Sequence, residues 1–417
     1  MTPTENPKLI NSKPKPFLWR YWGWGLLAAV AIYMIVIPGW HLISQLLSPA
    51  EVKSGEIAEL SFSESILLRA TETFTAFWFF MFGATIGSFL NVVIYRVPRK
   101  ESVIFKRSAC PKCGAQIHGK DNIPVLGWIW LEGKCRACQL PISRRYPIVE
   151  AVIGLLFLLF LFCELLSGGL NLPVRMPNHY AGVVWIIFYT KWDLVGFYLF
   201  HCFVMISLFT WSMIRYDRNL VPLRSIATIF TIVFIALMLN PGLHLVQWNY
   251  QETVLWAPKV QGSLITAAIG AATGLGLSSL ISAILSFKRS SFEREYIASI
   301  ALAGAALGWQ AASSVLMLSL LIQLIAIGLQ KIVARQFHLP MTGCAAIATV
   351  LQLLTWRLQQ EFIANWWPVT SVSWTLGVTF VVASSLIAAV LRGLISAVPS
   401  PTPAPEAETQ PAISNDA

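Results

Sequence analysis

The chain has 417 residues, 56% of them hydrophobic and only 12% charged, against ~45–50% apolar and ~25% charged in an average soluble domain. So little polar surface excludes a water-soluble enzyme, a disordered chain and a disulfide-framework mini-protein, and leaves a polytopic membrane protein. The formal net charge of +10 is read as basic loops beside anionic lipid, not as a nucleic-acid surface, because no aromatic-plus-basic binding pattern accompanies it.

A spanning helix needs ~20 mostly apolar residues. Candidates lie at 22–46, 73–95, 147–167, 195–214, 225–240, 262–287, 297–312, 313–330, 341–356 and 371–391. The fold class expected is all-α, with about ten transmembrane helices and a small cytoplasmic zinc-binding loop domain. No cleavable signal peptide is expected, since the first apolar run is too long and no small-residue cleavage site follows it. Orientation comes from the loops. Lys8, Lys13, Lys15 and Arg20 place the start in the cytoplasm, and the acid-rich stretch 48–72 faces outside. The loop 96–146 carries eleven Lys and Arg against Glu101, Asp121 and Glu132, so it is cytoplasmic. Ten crossings then put both termini inside, with Arg357 the one basic residue on the opposite side. The tail from 396 is rich in Pro, Ala and acids and has no apolar face, which reads as disorder.

Cys110-Pro-Lys-Cys113 and Cys135-Arg-Ala-Cys138 stand 21 residues apart. Two such knuckles bring four thiolates to one tetrahedral ion, and a reducing compartment disfavours disulfides there. Four protein ligands leave no open position, so the implied Zn2+ is structural, folding a loop with little apolar core. Cys163, Cys202 and Cys344 lie in apolar runs and read as core residues. The six His are scattered, with no pair spaced to share a metal.

The stretch GATIGSFLNVVIYR at 83–96, then CPKCGAQI from Cys110 and DNIPVLGWIWLEGKCRACQLPISRRYPIVEAVIGLLF from Asp121, resembles the N-terminal domain of the bacterial type IV prepilin peptidase/N-methyltransferase family. In the second half, GAALGWQ at 304–310 and HLPMTG at 338–343 are similar to later family segments. The resemblance implies an inner-membrane enzyme that cuts the leader of pilin-like or pseudopilin-like precursors at the cytoplasmic face and methylates the new N-terminus with S-adenosylmethionine. It also implies a division into an N-terminal extension (1–72), the family's N-terminal domain (73–167) with its zinc loop at 96–146, a degenerate peptidase domain (195–356), an extra helix (371–391) and a tail (396–417).

In that family two aspartates share the work of base and acid on water and the scissile carbonyl. Here both positions differ. The first falls on Arg215, with Asp217 at the family's second, non-catalytic aspartate. The GxGD segment falls on 293–296, so the second position is Tyr296. In the ordered chain from 165 onward, Asp217, Glu293 and Glu295 are the cytoplasmic carboxylates that remain, and the arginines Arg215 and Arg218 beside Asp217 oppose a protonated acid there. The expectation is an inactive peptidase half on an intact frame. Binding without cutting, as a scaffold or chaperone for pilin-like subunits, stays open beside methyl transfer and beside an endopeptidase using Asp217 and a loop glutamate. Candidates for S-adenosylmethionine binding are Asn91, Arg96, Asn122, Arg145 and Glu150, polar residues at the membrane edge of the matched block. Glu150 opens an apolar helix, where a charge is expensive.

Overall fold

The computed structural model describes residues 62–396 except 106–107, 111, 178–181, 247–255, 286–292, 334–338 and 363–373, together with isolated residues Ile32, Val36 and Ile43. The expected span at 22–46 and the tail after 396 lie outside the described residues. Everything regular is helical: α1 Phe62–Arg96, α2 Leu126–Trp130, α3 Arg145–Phe160, α4 Val183–Phe188, α5 Trp192–Tyr216, α6 Leu223–Leu239, α7 Trp256–Leu285, α8 Glu293–Leu307, α9 Trp309–Val333, α10 Met341–Phe362 and α11 Trp374–Ser396. Among the described residues, β-pairing is confined to two isolated bridges, Ala109 with Gln116 and Lys134 with Pro141.

Among the described residues, six helices are long and apolar enough to cross a bilayer: Ser63–Arg96, Arg145–Leu166, Trp192–Tyr216, Pro258–Leu285, Trp309–Gln330 and Met341–Gln359. The protein is therefore a multi-pass membrane protein. α6 is apolar but has 17 residues and α8 has 15, short of the ~20 that span hydrocarbon upright. The expected break near 312 lies at Gly308 instead. Its φ of +98° suits glycine, which carries no Cβ penalty in that region, and it separates α8 from α9.

Close helix contact rests on small residues, as expected where lipid offers no hydrophobic drive for helix pairing. In α1, Gly83 and Gly87 lie one turn apart on the face against α3. A Cβ on Gly83 would come within 2.7 Å of Phe157, and one on Gly87 within 2.8 Å of the Glu150 Cα. α7 repeats the device against α8: a Cβ on Gly270 would meet the Gly304 carbonyl oxygen at 2.0 Å. One core joins α1, α3 and α5, where Phe157, Phe160, Leu208 and Trp211 are buried and Tyr198 meets Phe79 edge-on at 5.6 Å. A second joins α7 to α11 through Ile281, Ile300, Leu316, Leu320 and Leu391. The outward face of α1 keeps Phe74, Phe77, Trp78 and Phe89 exposed, a surface suited to lipid.

Candidate functional site: the cysteine loop, the cavity beside it and the junction of α5 and α8

Each cysteine knuckle is a tight turn of the same build. Cys110 N–H donates to the Ala115 carbonyl and Gly114 N–H to the Cys110 carbonyl, both at 2.9 Å. Cys135 N–H donates to Leu140 and Gln139 N–H to Cys135 at the same distance. Gly114 and Gln139 close these turns with φ of +71° and +57°. The four Sγ atoms of Cys110, Cys113, Cys135 and Cys138 lie within 4.8 Å of one another, and Cys113 and Cys135 are 4.0 Å apart. A tetrahedron with Zn–S of about 2.3 Å has edges near 3.8 Å, so the cluster can hold a metal ion with little movement. Backbone N–H groups of Cys113 and Lys112 draw the Cys110 thiol down to about 7, toward the thiolate that a metal requires. All seven cysteines are free thiols; Cys202 and Cys344 are buried, as core residues should be.

The loop is stitched to its surroundings by polar contacts. Arg136 grips Asp121 with two hydrogen bonds of 2.7 and 2.6 Å and holds that carboxyl below its usual range. Trp128 Nε1–H donates to the Ile142 carbonyl at 3.2 Å. Between this loop, α1 and α3 lies a cavity of about 980 Å³, with Asn91, Arg96, Asn122, Trp128, Tyr146 and Glu150 among its walls. Four of the five expected cofactor residues thus share one cavity. Arg96 is buried and donates to the Ser102 carbonyl at 3.2 Å. Asn91 donates to the Tyr146 carbonyl at 3.2 Å. Glu150 accepts the Val125 N–H at 2.7 Å, and Val125 sits at φ +61°, ψ −52°, a strained place for a β-branched residue. Arg145 does not line the cavity; its guanidinium holds Asp217 at 2.6 Å.

The loop after α5 meets the start of α8 through Val221 and Glu295. Arg215, in the last turn of α5, donates to the Asn219 carbonyl at 3.2 Å. Glu295 is fully buried and accepts the Val221 N–H at 3.2 Å and the Arg294 guanidinium at 2.8 Å. Arg294 also donates to the Val221 carbonyl at 2.6 Å, so this helix start clamps the loop after α5. Tyr296 turns into the bundle, its hydroxyl 2.8 Å from Ser319 Oγ. Glu293 opens α8, and its side chain lies outside the described residues. Asp217 and Glu295 each face an arginine rather than each other.

One buried group escaped the sequence reading. Glu164 is fully enclosed in the π-helical turn Leu161–Leu166 and lies 2.7 Å from His201 Nδ1 of α5. An acid inside an apolar run was the visible signal; its partner, 37 residues on, was not.

A family profile described as the Bacterial Peptidase A24 N-terminal domain matches residues 81–163. The prepilin leader peptidase/N-methyltransferase of Myxococcus xanthus is 51% identical over 82 residues, covering 20% of this chain and 24% of that relative. The enzyme so named in Aeromonas hydrophila is 42% identical over 101 residues, covering 18% and 35%. That of Vibrio cholerae is 34% identical over 166 residues, covering 38% and 54%. Across these three the chain spans between 24% and 54% of the relatives' length. No solved structure matches. The matched stretch holds both cysteine knuckles and the walls of the cavity, and over it the chain is similar to the N-terminal domain of the bacterial prepilin leader peptidase/N-methyltransferases.

Proposed function

We propose that the chain engages the N-terminal segment of pilin-like subunits at the cytoplasmic face of the bacterial inner membrane and methylates a free N-terminal amine without cutting a leader. The observation that carries the reading is a contrast within one molecule. The cavity of about 980 Å³ belongs wholly to the matched domain, while Arg215 and Tyr296 stand at the two positions where the family's aspartates are expected. Asp217 and Glu295 do not replace them, because each is engaged by its own arginine and a shared proton needs two carboxyl groups face to face.

In this reading the cysteine cluster binds a structural Zn2+ that fixes the loop and so one wall of the cavity. S-adenosylmethionine suits the groups present: the amides of Asn91 and Asn122 and the Arg96 guanidinium for its polar ends, and the rings of Trp128 and Tyr146 for its base. Asn91, Arg96 and Asn122 would hold it. When bound it would supply an electrophilic methyl group for the amine. The chain's part is to position the amine, exclude water and accept the proton that the amine gives up.

The test is mass spectrometry of a prepilin and of its leaderless form after incubation with the full chain in proteoliposomes and labelled S-adenosylmethionine. Label is expected on the leaderless form, and an uncut prepilin is expected beside it. Leader cleavage overturns the reading, and so does the absence of label on the leaderless form; stoichiometric capture without label assigns the chain to scaffolding.

A further inference from the structure

Most of the well-placed acids of this protein face a cation of their own. Asp121 has Arg136, Asp193 has Arg175, Asp217 has Arg145 and Glu295 has Arg294, and the buried Glu164 is hydrogen-bonded to the His201 imidazole. Glu150 does not face a cation. It is 9% exposed and lies on the cavity wall. Its partners are the Val125 N–H at 2.7 Å and the Ser88 hydroxyl, with no Lys or Arg in ion-pair range among the described residues. A carboxylate so enclosed, in a helix that spans the bilayer, is costly without a cation. The strained backbone of Val125 is bonded to it and fixes its aim, and strain of this kind collects at ligand clamps.

The cavity also has an unusual door. Thr85, Phe89 and Tyr95 line it and are exposed on the flank of α1, within the span Ser63–Arg96. Thr85 precedes the end of that helix by eleven residues, or about 16 Å at 1.5 Å per residue. The opening therefore runs along the lipid-facing side for about three helical turns, with an acid at its inner wall.

We propose that Glu150 is the recognition point for the terminal ammonium of an apolar helix that enters the cavity sideways from the bilayer. The proposal rests on the reading above and names the part of the substrate that this site selects. A helix end fits the length of the opening, its apolar body fits Phe89 and the lipid beyond, and its ammonium supplies the cation that Glu150 lacks. Asn91, Arg96 and Asn122 then remain for the methyl donor. Glu150 is in these terms a binding residue for the substrate amine.

The experiment uses the full chain in phosphatidylcholine nanodiscs and a labelled apolar helical peptide of about 20 residues, long enough to span, with its N-terminus either free or acetylated. No methyl donor is added. Acetylation is expected to weaken binding to the wild type by about tenfold or more and to leave binding to Glu150→Gln unchanged, the variant binding both peptides as the wild type binds the acetylated one. The glutamine amide of that variant keeps an oxygen for the Val125 N–H, and the acetylated peptide tests the idea without altering the protein. Equal binding of the two peptides by the wild type overturns the proposal. So does loss of the free-amine preference when phosphatidylethanolamine is included, which assigns the site to a lipid amine. Because the readout needs no methyl transfer, a chain that discriminates the amines but never methylates them refutes only the earlier reading, and one that methylates without discriminating refutes only this one.

Discussion

Four thiols within 4.8 Å of one another are a poor arrangement without a cation, since each new thiolate repels the last. A metal at the centre removes that cost. Replacing Cys110 and Cys135 together by Ser is expected to abolish metal content, read by inductively coupled plasma mass spectrometry. It should also open the loop, read by faster proteolysis between 96 and 146. Full metal content in that variant contradicts the site. The Glu164–His201 pair behaves differently, because both partners are buried with no solvent to fall back on. Glu164→Ala strands the imidazole and is expected to cost about 3 kcal/mol, the low end for breaking a buried pair, while Glu164→Gln keeps a hydrogen bond and costs much less. Thermal midpoints of the two variants in detergent check the order.

At the scale of elements, the seams between helices are set by glycine. A side chain on Gly87 has no room against Glu150, and one on Gly270 has none against the Gly304 carbonyl. Gly87→Leu is expected to part α1 from α3, with loss of the cavity and of folded yield; Gly276→Leu, at a glycine with open space around it, should be tolerated. Fluorescence-detected gel filtration separates these outcomes. The pair Arg145–Asp217 joins the matched domain to the loop after α5 across 72 residues of sequence. Arg145→Asp should loosen that joint by about 1 kcal/mol, as a half-exposed pair allows, and the swap with Asp217→Arg should restore it.

The same scale shows what could be read in advance. Apolar runs of the right length gave away most helices, because hydrophobic length is a local property of the chain. The α8–α9 boundary was misplaced by a few residues, since Gly308 ends α8 through a backbone angle that periodicity does not register. Arg357 broke the charge pattern for a reason visible only in three dimensions. Its guanidinium donates to the carbonyls of Gly169, Leu170, Leu172 and Arg175 and so holds the loop after α3. The knuckle spacing disclosed the metal-competent cluster, whereas the separation of Arg145 from the other four polar candidates depended on where Asp217 came to lie.

Across the whole molecule, the matched block at 81–163 and the bundle after it present different chemistry. The cysteine loop and the two helices that flank it retain the family's pattern and enclose a cavity. The junction of α5 and α8 carries Arg215 and Tyr296 where the resemblance puts the family's aspartates, and its carboxylates Glu295 and Asp217 hold Val221 and Arg145. On this account Arg215→Asp with Tyr296→Asp need not restore cutting, because Tyr296 points at Ser319 and not at the loop that Glu295 holds. The most direct measurement is the intact mass of a prepilin after incubation with the purified full chain in proteoliposomes. The account predicts an unshortened precursor; a product shortened by its leader, and lost in Asp217→Asn, would contradict it.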